Sequence, residues 1–310
     1  MESSYLELHY HLVGGSHSMD ASVRNKCERE ALSVIYEIAK YLDVSTVVES
    51  YAHQEGGLRD VWKAIGRNDK QLTLIVAIFA ILFSCSPKED EQLSSLEKEK
   101  KELEIQKLRL EIKALSTEVD PDGALERRAL EVADALNMSG RIAVRRSNFY
   151  KNLVSYDKVT AVSFSPKARL DSNSIEPTVN RSVFSDFVLH SDKLPPEIYE
   201  EAVIEIFAPV LIDANQQWRG FFNGAAISFA MLDHSFKADV VAKRVKFQHG
   251  TTIRCTLNVI RRYNELGEVV VAGYTVPTVT EVAEGGSSYV DTSEGVRRKR
   301  KPNPHQPPLL

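Results

Sequence analysis

The stretch QLTLIVAIFAILFSCSP, Gln71 to Pro87, decides how the chain is organised, because it carries no ionisable side chain apart from the thiol of Cys85. A helix needs about 20 predominantly apolar residues to cross the hydrocarbon core of a bilayer, with ~17 as the lower limit, whereas runs of ~10–14 read as buried core helices. This run sits on that boundary. It is apolar all round and charged sequence begins on both sides, so a single-pass transmembrane helix is expected over 71–87, inserted through Leu72, Ile75, Val76, Phe79, Leu82 and Phe83. The competing reading buries the run inside the N-terminal domain.

Upstream, YLELHYHLV alternates Leu6, Leu8, Tyr10 and Leu12 with Glu7, His9 and His11, the period-2 pattern of a strand with one buried face. From Asp20 to Leu42 the apolar residues Val23, Cys27, Ala31, Val34, Ile38 and Leu42 fall at three- and four-residue steps, with Ser18 or Asp20 as cap, so a helix follows. VSTVVESYA reads as a second strand, and a short helix is expected around Arg59 to Ile65 after the turn at EGGL. Together these make a small β-α-β domain over 1–68. His9 and His11 project from one strand face at i and i+2 and would share a metal if Glu7, His17, His53 or Glu55 converged on them; otherwise they belong to an exposed polar strand face.

Downstream, 88–118 is dense in Glu and Lys. Leucines and isoleucines at Leu93, Leu96, Leu103, Ile105, Leu108, Ile112 and Leu115 predict a charged helical rod whose seam could support a homo-oligomer. A second helical region is expected over 124–156. Within it, residues 131–150 approximate a helix-turn-helix, with Ala133, Leu136, Ser139 and Ala143 at the apolar and turn positions and Arg145 and Arg146 on the second helix. Residues 157–283 read as an antiparallel β-rich domain, with turns at Asn223-Gly224, His249-Gly250 and Asn264 to Gly267. Its strand TTIRCTLNVI alternates core positions Ile253, Cys255, Leu257 and Val259 with polar ones, so Cys255 is expected to be a buried thiol. The segment 284–310 is basic and proline-rich and is expected to stay disordered. The fold class that emerges is α+β.

The 310-residue chain is long enough for two ordinary domains with connecting segments, and its net charge of −4 gives no global pull on anions. Attraction for anions must come from clustering. Lys243, Arg244, Lys246, Arg254, Arg261 and Arg262 form such a run, uninterrupted by acids up to Glu265, with Tyr263 placed for stacking. A nucleic acid, a nucleotide or an anionic lipid would suit it. The three cysteines are scattered, which favours a reducing compartment, and MESSYLELHYHL lacks the basic start and apolar run of a secretory signal. No phosphate loop or nucleophile–base pair stands out, so neither catalysis nor a cofactor is expected.

The stretches RRSNFYKNLVSYDKV, WRGFFNGAAISFAMLDHSF and VKFQHGTTIRCTLNVI resemble a group of uncharacterised bacterial membrane-associated proteins, over most of 141–282. The N-terminal arrangement is similar to that of bacterial membrane proteins suspected of roles in defence against phage. The resemblance implies a bacterial origin and carries no catalytic residue. The expectation is thus a single-pass inner-membrane binding or sensor protein whose cytoplasmic β-domain recognises an anionic ligand. The alternatives are a soluble, cytoplasmic nucleic-acid-binding regulator using 131–150 and the basic strands, and a metal-dependent enzyme built on His9 and His11.

Overall fold

The computed structural model describes residues 2–51, 58–85, 124–137, 139–167, 176–212 and 216–300. The chain divides into two units, one formed by 1–191 with 264–268 and the other by 192–263 with 269 onward. The expected rod, its seam over 93–115, and the last ten residues of the tail lie outside the described residues.

The first unit is built on β1 (Glu2–Leu12), α1 (Ala21–Tyr41), β2 (Val47–Tyr51), β3 (Leu58–Gly66), α2 (Asp69–Ser84), α3 (Ala124–Asn137), α4 (Gly140–Val154), β4 (Val159–Lys167) and β5 (Thr178–Asn180). Its sheet has the order β2-β3-β1-β4-β5 with every neighbouring pair antiparallel. β3 thus lies between β1 and β2, and β1 between β3 and β4, the split β-α-β connectivity of ferredoxin-like folds, with α3 and α4 inserted before β4. Alternation along β1 works as expected: Leu6, Leu8 and Tyr10 enter the core. α1 buries Cys27, Ala31, Val34 and Ile38, and the Asp20 carboxylate caps it by accepting from the backbone N–H of Ser22 at 2.8 Å and of Val23 at 3.1 Å.

Three expectations are corrected here. Residues 59–65 form a strand, not a helix, paired on both sides by β1 and β2. The segment from 157 belongs to the first unit, because β4 is hydrogen-bonded beside β1. Most importantly, the apolar run is a core helix. α2 has 16 residues, about 24 Å at 1.5 Å per residue, which is short of a ~30 Å hydrocarbon core. Among the described residues no helix is long and apolar enough to cross a membrane. Leu72, Ile75, Val76, Phe79, Leu82 and Phe83, expected to face lipid, are buried instead among α1, α3, α4 and the sheet.

The ends of α2 show why it is held inside. Its first N–H groups are capped by the Asn68 side chain, which accepts from Lys70 at 3.0 Å and Gln71 at 3.3 Å. At the other end, carbonyls that a buried helix terminus would leave without partners are satisfied from α4. Arg146 donates to the Leu82 carbonyl at 3.0 Å and to Asn137 Oδ1 at 2.6 Å, while the Tyr150 hydroxyl donates to the Phe83 carbonyl. Phe83 lies in an aromatic cluster, stacked on Phe79 at 4.2 Å and edge-on to Phe149 at 5.1 Å.

The second unit contains β6 (Lys193–Ala208), β7 (Trp218–Phe222), β8 (Ala225–Met231), α5 (His234–Val241), β9 (Thr252–Tyr263), β10 (Val269–Ala283), β11 (Val290–Asp291) and α6 (Ser293–Arg300). β6 pairs with β7, β7 with β8, β8 in parallel with β10, β10 with β9, and β9 back with β6. The five strands close into a barrel with the connectivity of an OB-fold, including a helix between the third and fourth strands. The expected antiparallel β-rich domain is accordingly a closed barrel with one parallel pair. Asn223 and Gly224, both at positive φ, make the β7–β8 turn. Trp218, Phe229, Phe236, Ile253, Cys255 and Leu257 fill the interior. The Asp233 side chain caps α5 through the Phe236 N–H at 2.9 Å and also accepts from the Val279 N–H at 2.8 Å. The start of the expected disordered tail is ordered: the Thr292 hydroxyl, at the head of α6, donates to the Val279 carbonyl at 2.5 Å.

Candidate functional site

In the first unit, the residues that alternate with the core positions of β1 form a polar surface. His9 and His11 lie with ring centroids 4.0 Å apart and planes tilted by 44°. The residue that joins them is Glu176, just ahead of β5, whose Oε1 is 3.2 Å from His9 Nδ1. One donor atom from each of the three lies within 4.8 Å of the others. His11 Nε2 is hydrogen-bonded to Ser163 Oγ at 2.5 Å, and Ser163 Oγ to Thr178 Oγ1 at 3.0 Å. Burial, then the neighbouring His11 and Arg59, lower the His9 pKa.

Of the anticipated third ligands, the two among the described residues, Glu7 and His17, do not join this group. Glu7 is nearly buried and committed to two cations, accepting from Lys167 Nζ at 2.7 Å and from Arg59. Burial pushes its pKa up, but the two cations outweigh that and hold it below the usual glutamate value. His17 is exposed outside the group, and His53 and Glu55 lie outside the described residues.

The helix-turn-helix expectation is also corrected. The second helix of that pair, α4, packs into the core through Ile142, Phe149, Tyr150 and Leu153. Arg145 is held by buried Glu30 at 2.9 Å, and Arg146 is spent on the end of α2, so neither reaches out to read a groove.

On the barrel, the basic residues are largely matched by acids. Arg254 pairs with Glu281 at 2.7 Å and lies over the Tyr289 ring at 4.6 Å. Arg261 faces Glu197 at 3.4 Å, Arg262 faces Asp192 at 3.9 Å, and Arg244 binds Asp239 at 2.8 Å. Lys243 and Lys246 are exposed, and Tyr263 ends β9.

A different face has the opposite character. Along β7 the burial alternates, with Trp218 and Gly220 turned inward and Arg219 and Phe221 outward. Phe221 is 43% exposed and lies 4.9 Å, centroid to centroid, from Phe207 of β6, itself 49% exposed. Opposite Arg219 and Phe221 on β8 stand the small, exposed residues Ser228 and Ala226. Arg219 has no carboxylate partner among the described residues. Gly220 lets β6 and β7 approach here, since a Cβ would stand 2.5 Å from Ile204 Cγ2 and 2.7 Å from the Glu205 carbonyl oxygen. The alternation in WRGFF could have indicated Arg219 and Phe221 from the sequence; Phe207 joins them only through strand pairing.

No protein-family model and no curated protein matches the chain. Among solved structures it aligns with a mutant of the ferredoxin protease FusC, crystallised in complex with Arabidopsis ferredoxin. The identity is 10% and the TM-score 0.21, over 75% of this chain and 29% of that one. The chain thus spans less than a third of that protein, and so weak a likeness carries no argument about fold or activity. Nothing in these comparisons supports the defence role or the membrane location that the sequence resemblance implied.

Proposed function

We propose that the chain is a binding protein whose barrel holds single-stranded nucleic acid on the outer face of β7 and β8. Connectivity alone does not carry this reading, since one fold hosts many functions. The observation that carries it is the exposed Phe207–Phe221 pair beside Arg219, which has no carboxylate partner among the described residues, on the strands that OB-folds use for oligonucleotides. Bases stack on such rings whatever their sequence, at about 1–3 kcal/mol per base, and one guanidinium can meet a phosphate. Ala226 and Ser228 keep the neighbouring surface low enough for a strand to lie on it. Glu205 lies opposite Phe221 on β6, so the phosphates are expected to run on the β8 side, away from its charge.

The test is fluorescence anisotropy of a labelled oligothymidylate titrated with the full chain. Binding should weaken with salt, Phe221→Ala and Arg219→Ala should each lower affinity about fivefold or more, and Glu205→Gln should raise it. Absence of binding, or a Phe207→Ala/Phe221→Ala double variant that binds like the parent, would sink the reading.

A further inference from the structure

We propose that His9, His11 and Glu176 hold one zinc-type divalent cation on the face of the first unit's sheet turned away from its core. Two imidazole nitrogens and one carboxylate oxygen form a donor set suited to late first-row divalent ions, with a fourth position left for water or an anion. Donors placed ~2.0–2.2 Å from a tetrahedral ion stand about 3.4 Å from one another. The His9 Nδ1 to Glu176 Oε1 separation of 3.2 Å already meets that spacing. All three donor atoms lie within 4.8 Å, so closure needs side-chain rotations of about an ångström and no movement of the strands.

The surroundings keep the three groups in place. Ser163 fixes the His11 ring and bonds Thr178, whose hydroxyl donates to the Glu176 carbonyl at 3.2 Å, so one hydrogen-bonded chain ties two ligands together across β4 and β5. Outer partners of this kind orient metal-binding histidines and set their tautomers. The nearby cations Arg59 and Lys167 are both engaged by Glu7, which limits their repulsion of an ion.

Zinc titrated into the metal-stripped full chain against a chromophoric chelator tests the site. One equivalent should compete with the chelator, and His9→Ala or His11→Ala should weaken that binding by at least about tenfold, with Glu176→Gln weakening it less. His17→Ala should bind as the parent does, since His17 lies outside the group. Far-UV circular dichroism reports whether each variant folds. If a histidine variant does not fold, Glu176→Gln decides, because Glu176 is partly exposed at the edge of the sheet. Zinc held no more tightly by the parent than by a folded His9→Ala/His11→Ala variant, or unchanged by Glu176→Gln where the histidine variants fail, would overturn the proposal.

Discussion

Two concentrations of apolar side chains meet opposite fates. In α2 the residues Leu72, Leu74, Ile75, Phe79 and Phe83 are fully enclosed, and the helix's terminal polar groups are satisfied by Asn68, Arg146 and Tyr150. On the barrel, Phe207 and Phe221 stay half in water although a closed core lies directly beneath them. The difference teaches that hydrophobicity alone does not distinguish a core from an anchor or a binding face. What decides is whether neighbouring elements bring enough apolar surface and enough hydrogen-bond partners to enclose the segment.

The largest expected effect comes from putting a charge into the enclosed region. Phe79→Arg leaves an unpaired cation among Phe83, Phe164 and the sheet, and should cost more than about 4 kcal/mol, abolishing the first unit's cooperative thermal transition. On a membrane anchor the same change would instead release folded protein into the aqueous phase. Deleting a ring is milder: Phe83→Ala should cost about 3–5 kcal/mol in a denaturant titration. In the barrel, Gly220→Ala forces a methyl against Ile204 and the Glu205 carbonyl and should cost about 1–3 kcal/mol. Phe221→Ala, by contrast, should change stability by less than about 0.5 kcal/mol while impairing oligonucleotide binding, which would separate a binding ring from a packing ring.

Much of this plan was legible in the residues. The Asp20 cap, the α1 seam, the β1 alternation and the Asn223-Gly224 turn are local signals, and local geometry realises each of them. The expected burial of Cys255 also holds. β3 was not legible because a strand paired on both sides buries Trp62 and Ala64 on one face and Val61 on the other, which blurs its period. α2 was ambiguous for a different reason: its length lies between two classes, and only Arg146 and Tyr150, far along the chain, reveal where its carbonyls go. Glu176 reaches His9 across 167 positions, a juxtaposition that no periodicity encodes. The basic run was readable as charge, but its acid partners on β6 and β10 follow only from strand pairing.

A subtler effect needs no substitution. Burial raises the thiols of Cys27 and Cys255 to about 12, whereas Cys85, at the end of α2, is exposed. A thiol reagent at pH 8 should therefore modify Cys85 in the native chain and reach the other two only after unfolding. Mass spectrometry of the labelled peptides reads this directly, and equal labelling of all three in native buffer would show that the two cores are open.

The most direct test of the enclosed helix is hydrogen exchange of the full chain in plain aqueous buffer, followed in peptides covering 72–83. If α2 is a core element, its amides belong to the slowest-exchanging class of the first unit without detergent or lipid, and added vesicles leave them unchanged. Rapid exchange in buffer that slows only when vesicles are added would contradict the account and return the segment to the membrane.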